Sequence, residues 1–222
     1  MKNIVFIGVL LPASLFAADL GTTGLIDTPT ARMRPDGEFA AVISKQPAVD
    51  IYSLNYQATP WLETTFRYSA FEDGLFDRSY GVKLRLLQEG RITPELAVGV
   101  QDVLGTGVWG AEYLVANKAF GPLDISIGMG WGRFADRAAF SNPAAQLFDR
   151  FSERDPDFGL GGTVQLDSFF AGPDVGLFGG VAYDLDRYNL RLLAEYNSDQ
   201  YRREVSKGTV EDPSPISYGL EW

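Results

Sequence analysis

The chain has 222 residues, 29 acidic against 19 basic, a formal charge of −10, and neither Cys nor His. Without thiol or imidazole there are no disulfides, zinc thiolate centres or His-based triads, and the usual general base near neutral pH is missing. The acidic balance also opposes nucleic-acid binding, which needs a basic surface to neutralise phosphates. At the amino terminus, Lys2, the apolar stretch Ile4 to Phe16 and the small residues Ala17 and Ala18 read as a signal peptide over residues 1–18. That stretch falls short of the ~20 apolar residues a helical span needs, and no later stretch is long and apolar enough. Residues 19–222 are therefore expected to form one domain that crosses no membrane as a helix.

The remainder reads as strands of period two. A mostly apolar strand is expected over 38–44. In 51–58, Tyr52, Leu54, Tyr56 and Ala58 alternate with Ser53, Asn55 and Gln57. After Thr59-Pro60, Leu62, Thr64, Phe66 and Tyr68 alternate with Glu63, Thr65, Arg67 and Ser69. The next strand sets Tyr80, Val82, Leu84 and Leu86 against Gly81, Lys83 and Arg85. Then Leu96, Val98 and Val100 oppose Glu95, Ala97, Gly99 and Gln101, and Trp109, Ala111, Tyr113 and Val115 oppose Gly110, Glu112, Leu114 and Ala116. The clearest case is 123–133, where Leu123, Ile125, Ile127, Met129 and Trp131 share one face and Asp124, Ser126, Gly128, Gly130 and Gly132 the other. Residues 135–157 read as a long polar loop, and 158–166, which alternate weakly, as part of the same excursion. Strands follow at 175–184 and 188–196; a second long loop, 197–214, leads to a last strand with Ile216, Tyr218, Leu220 and Trp222 on one face.

One greasy face and one small or charged face, repeated down a chain with an export signal, predict an antiparallel up-and-down outer-membrane β-barrel of about ten spanning strands. Its outer face meets outer-membrane lipid. By strand parity Glu63, Arg67, Lys83, Arg85, Gln101, Glu112, Asp124, Arg191 and Glu195 line the lumen. Such charges either hydrate a pore that offers hydrogen bonds to sugars, or pair with one another and fill a narrow barrel. Trp61, Trp109 and Trp131, with Tyr52 and Tyr113, are expected in the interfacial aromatic belts. Phe140, Phe148 and Phe151 are candidates for carbohydrate contact or loop packing. Two other readings stay open: a soluble periplasmic carbohydrate-binding sandwich, its apolar faces packed on each other, and a polysaccharide hydrolase using a pair such as Glu63 and Glu112. Nothing in the carboxylate spacing supports catalysis, and no cofactor or metal site is indicated.

Gly24-Leu25-Ile26-Asp27-Thr28-Pro29-Thr30-Ala31-Arg32, with Pro35-Asp36-Gly37-Glu38, resembles the opening signature of the YjbH-like family of exopolysaccharide-associated outer-membrane proteins, which includes GfcD. Weaker matches follow in order: Leu177-Phe178-Gly179-Gly180-Val181, Ala194-Glu195-Tyr196, Ser198-Asp199, and Pro215-Ile216 with Tyr218-Gly219-Leu220. The resemblance implies an outer-membrane barrel that acts in production or export of an extracellular polysaccharide, with other export components as partners. Members are usually longer, with further strands, and often carry a lipobox Cys that this sequence lacks. In the opening motif, Gly24, Leu25, Pro29, Ala31, Arg32 and Gly37 stand out. Residues 28–32 read either as a plug, with Arg32 and Arg34 on acidic groups, or, as the simpler reading, as an extended lead-in with an Asp36-Gly37 turn.

Overall fold

The computed structural model describes residues 18–46, 49–154, 161–164, 166–208, 210–211 and 213–222. The signal-peptide segment up to residue 17 therefore lies outside the described residues. The alternating segments form ten strands in one antiparallel sheet, each beside its chain neighbour: β1 (Phe39–Gln46), β2 (Val49–Thr59), β3 (Leu62–Phe71), β4 (Phe76–Leu87), β5 (Glu95–Gln101), β6 (Ala111–Phe120), β7 (Leu123–Gly132), then β9 (Asp174–Leu185), β10 (Leu190–Tyr196) and β11 (Ile216–Glu221). An eleventh, β8 (Ala138–Ser141), lies inside the first long loop, where irregular chain was expected. The reason is local: β7 stops pairing with β9 at Gly130, and β8 takes over beside Gly176, Val175 and Asp174, whose ladder groups would otherwise stay unpaired. The same loop holds the one-turn helix α1 (Pro143–Leu147), capped by the Asn142 side chain, and the second loop holds α2 (Arg202–Ser206). Residues 161–164 form no strand. Among the described residues no helix is long and apolar enough to cross a membrane.

One end of the sheet carries short connections (59–62, 87–95, 120–123, 185–190) and the other the long ones, including 132–174 and 196–216. Side-chain polarity is the reverse of a soluble domain. On β3, Glu63, Thr65, Arg67 and Ser69 are buried, while Leu62, Thr64, Phe66 and Tyr68 on the other face are half-exposed. On β7, Ser126 is buried and its neighbour Ile127 is 66% exposed. A sandwich is thereby excluded, since it would bury the apolar face against a second sheet.

The sheet curls around residues 18–37. This strap touches β1 through Gln46 and Asp19, β3 through Glu63, β6 through Asn117 and β10 through Glu195, and Ile26 packs over Gly219 of β11. A single short segment can meet both edge strands only if the sheet wraps about it. The two edges remain unpaired with each other among the described residues, so the ladder is not closed.

Parity on β6 differs from the expectation. Tyr113 pairs with Gly99 and Gly130, and Glu112 with Val100 and Trp131, which puts Ala111, Tyr113, Val115 and Asn117 inside and Glu112 and Leu114 outside. Tyr113 can turn inward because its cross-strand neighbour is glycine: a Cβ on Gly99 would collide with the Tyr113 ring, and one on Gly128 would collide with Phe178. Tyr113, Phe134 and Phe178 then pack edge-to-face and stacked as an interior aromatic cluster. Trp109 is likewise inside, stacked on Phe71 with its indole N–H 3.0 Å from Ser69 Oγ. Of the expected belt residues, Trp61 is exposed in the β2–β3 turn and Tyr52 on the outer face, Trp131 faces outward but is covered by Phe170, and Trp109 and Tyr113 are core.

Candidate functional site

The interior is organised by wall carboxylates that hold the strap. Residues 18–30 fold back on themselves through Asp19 N–H to Ile26 O (2.7 Å), Leu25 N–H to Thr28 O (2.9 Å), Thr30 N–H to Thr23 O (3.2 Å) and a bridge between Gly24 and Pro29. The tight turn leaves main-chain donors pointing outward, and the wall supplies acceptors. Glu195 takes the N–H groups of Ile26 (3.0 Å), Asp27 (2.7 Å) and Thr28 (3.2 Å) and the Thr28 hydroxyl (2.7 Å). Glu63 takes the Thr22 hydroxyl (2.7 Å) and both donors of Thr23, and pairs with Lys83 at 3.0 Å. Lys83 in turn donates to the carbonyls of Thr23 (3.2 Å) and Arg32 (2.9 Å). Glu63 and Lys83 therefore neutralise each other within a set of hydrogen bonds, whereas the Glu195 carboxylate is held by four hydrogen bonds donated from the strap.

Toward the short-turn end, Arg32 closes the strap. Its guanidinium forks onto both Asp124 oxygens at 2.8 Å and reaches Glu89 (2.6 Å) and Glu95 (2.9 Å). Arg85 shares Glu95, and Lys118 shares Glu89. Burial alone would raise the Glu89 carboxyl; hydrogen bonds from Lys118 and Arg32 instead hold it down at about 2. The Ala31 N–H meets Asn117 Oδ1 at 2.8 Å. Pro35 to Glu38 then turn into β1 with Gly37 left-handed (φ 76°). The strap is thus the plug reading of the opening motif rather than only a lead-in. Gly24 and Pro29 form its turn, Leu25 fills the cluster with Ala182 and Leu193, and Ala31, Arg32 and Gly37 fix its exit.

At the long-loop end, Arg67 bonds Ser79 and the Leu20 carbonyl and lies 5.2 Å from the Trp109 ring. Arg133 covers the same ring and pairs with Asp199 (2.6 Å) and Glu204 (3.2 Å), tying both long loops together. Sequence reading missed Arg133, Asp199 and Glu204, because they come from the two long loops, which have no periodicity. Gln101 lines two small cavities of about 10 and 20 Å³ beside the strap, each room for about one water. Arg191 lies 3.3 Å from Asp184 near the short-turn rim. Of the expected lumen set, Glu63, Arg67, Lys83, Arg85, Gln101, Asp124, Arg191 and Glu195 face inward. Glu112 faces out, where Arg154 of the first long loop chelates both its oxygens (2.7 and 3.1 Å) and the Phe170 N–H adds a third bond. Glu63 and Glu112 therefore stand on opposite faces of the wall and cannot share a substrate. No cluster suited to a metal ion occurs among the described residues.

A strap signature, its carboxylate receptors and the ordered strands form one arrangement, and the family described as exopolysaccharide biosynthesis protein YbjH matches residues 17–222 of it. The chain belongs to the YjbH family. It is 36% identical over 215 residues to the uncharacterized lipoprotein YjbH of Escherichia coli (strain K12), covering 91% of this chain and 30% of that protein. It therefore spans less than a third of its YjbH relative. No solved structure matches it.

Proposed function

We propose that this chain is the barrel-forming part of an outer-membrane YjbH-family protein, exported by its signal peptide, that serves exopolysaccharide production or export as an assembly component. The family supports the role in exopolysaccharide production. The observation that carries the membrane reading is the inverted polarity of the wall: Ile43, Leu54, Ile127 and Leu177 are exposed on one face while Glu63, Lys83 and Glu195 are buried on the other. Apolar surface on that scale is stable against lipid and unstable in water, at about 25 cal/mol per Å². The strap supports an assembly or anchoring role over a wide conduit, because the space a polymer would thread is filled by residues 18–34. Partners in this reading are outer-membrane lipid, and the polysaccharide and other export components at the loops.

The test is to delete the gene, measure extracellular polysaccharide, and fractionate the tagged full-length protein. Reduced polymer, outer-membrane recovery and heat-modifiable gel migration are expected. Recovery in the soluble periplasm without detergent contradicts the membrane part, and unchanged polymer contradicts the role.

A further inference from the structure

The first long loop serves both sides of the wall: Arg133 and Phe134 turn inward, whereas its later part covers residues that point outward. Glu112 and Trp131 point away from the interior, and both are covered: Glu112 by Arg154 and the Phe170 N–H, Trp131 by the Phe170 ring at 5.1 Å. Asn142 ties the loop together by donating to the carbonyls of Phe170 and Gly172, and Gly162 N–H bonds the Leu104 carbonyl of the β5–β6 connection. The described parts of 142–172 therefore form a cuff on the outer wall at the long-loop rim. A cuff in water would have no reason to leave hydrocarbon outward, yet Leu147 is 75%, Phe148 62% and Leu166 60% exposed. Glu112 is itself buried beneath the cuff, where its charge needs the Arg154 counter-ion.

We propose that this cuff is a lipid-contacting surface: Leu147, Phe148 and Leu166 enter the bilayer interface and extend the apolar face of β7 and β9, while Arg154 screens Glu112 from the same lipid. The inference rests on the membrane reading above and adds to it a second, non-strand contact. Continuity favours lipid over polysaccharide as the occupant. The outer-wall residues next along the sheet, Met129 on β7 and Leu177 on β9, are apolar, and two of the three exposed cuff side chains are aliphatic, with no hydrogen-bonding group for sugar hydroxyls. Arg150, which lies over Phe151 and bonds the Leu166 carbonyl, gives the cuff the cationic-aromatic rim common at headgroup depth.

The sequence has no cysteine, so single-cysteine probes are clean. Full-length protein with Leu147→Cys, Leu166→Cys, Ile127→Cys or Lys207→Cys, each carrying an environment-sensitive fluorophore, is reconstituted in phosphatidylcholine vesicles with or without lipids brominated near the headgroup. Burial of ~5–10 Å at the interface predicts roughly twofold dimming at positions 147 and 166, comparable dimming at 127, and none at 207. Dimming at 127 with none at 147 or 166 overturns the cuff contact and leaves the membrane reading standing. No dimming at any position defeats both. Probes at 147 and 166 that respond only to added neutral dextran overturn the lipid assignment in favour of polymer. Should one labelled variant fail to fold, the other cuff position decides.

Discussion

Glu63 and Glu112 are both almost wholly buried, both sit on strands, and both hold a segment of irregular chain, yet they serve opposite sides of one wall. Glu63 looks inward and holds the strap with Lys83. Glu112 looks outward and holds the cuff with Arg154. What differs is strand parity alone, which chooses the segment that must supply the counter-charge. The inner assembly touches strands from β1 to β11 and belongs to the whole fold; the outer one is local to β6, β7, the β5–β6 connection and a single loop.

That contrast breaks most sharply at Glu63. Glu63→Ala leaves the Lys83 ammonium buried without a counter-ion and is expected to cost ~3–5 kcal/mol, visible as a lower temperature for the heat-modifiable band shift. Arg154→Met strands Glu112 by a similar count, but the cuff can peel away to let water in. Its expected cost to the whole fold is about 1 kcal/mol or less, with faster protease cleavage between 143 and 171 as the main readout. Equal losses of global stability in the two variants would remove the distinction. Trp109→Phe gives up the bond to Ser69 and weakens the face that Arg67 and Arg133 share, for about 1–2 kcal/mol, read as the same band shift.

Acidity separates the two ends as well. Burial, then the neighbouring Asp199 carboxylate, pushes Asp136 up to about 6. A raised acid favours the fold once protonated, so the Asp136 contribution to long-loop stability should increase as pH falls from 7 through 6. Glu89, held at about 2, does the reverse: its contribution is complete above its ordinary 4.5 and is lost as pH drops toward 2. Proteolysis of the 197–208 segment should therefore slow between pH 7.5 and 5.5, and Asp136→Asn should flatten that response. A response unchanged in that variant would remove Asp136 as its source. Smallest of all is Lys45→Ala, which breaks a solvent-exposed pair with Asp50 and should cost no more than ~0.5 kcal/mol by thermal unfolding.

How much of this is legible in the sequence follows from the same physics. Ten strands along the sheet are legible because each alternates for six or more residues and the turns fall at Gly, Pro and Asp. The inward facing of Glu63, Arg67, Lys83 and Glu195 is legible because a charge on a strand with one oily face has one place to go. Glu112 defeats that logic, since its counter-ion Arg154 arrives from 42 residues away. Trp109 and Tyr113 defeat the aromatic-belt rule for a related reason: the room they occupy is created by Gly99 and by the strap, on other segments. Thr22, Thr23 and Thr28 carry the strap's anchors, but a threonine reads as an ordinary turn residue until an acceptor faces it.

The strap lies inside a wall whose parity on β6 places Asn117 inward and Ala116 outward. In the cysteine-free background, paired substitutions Ala31→Cys with Asn117→Cys should form a disulfide in the oxidising envelope without added oxidant, since the Ala31 amide already reaches the Asn117 side chain. The control pair, Ala31→Cys with Ala116→Cys, should stay reduced. Crosslinking in the control pair, or in neither, would contradict both the threaded strap and the orientation of the wall.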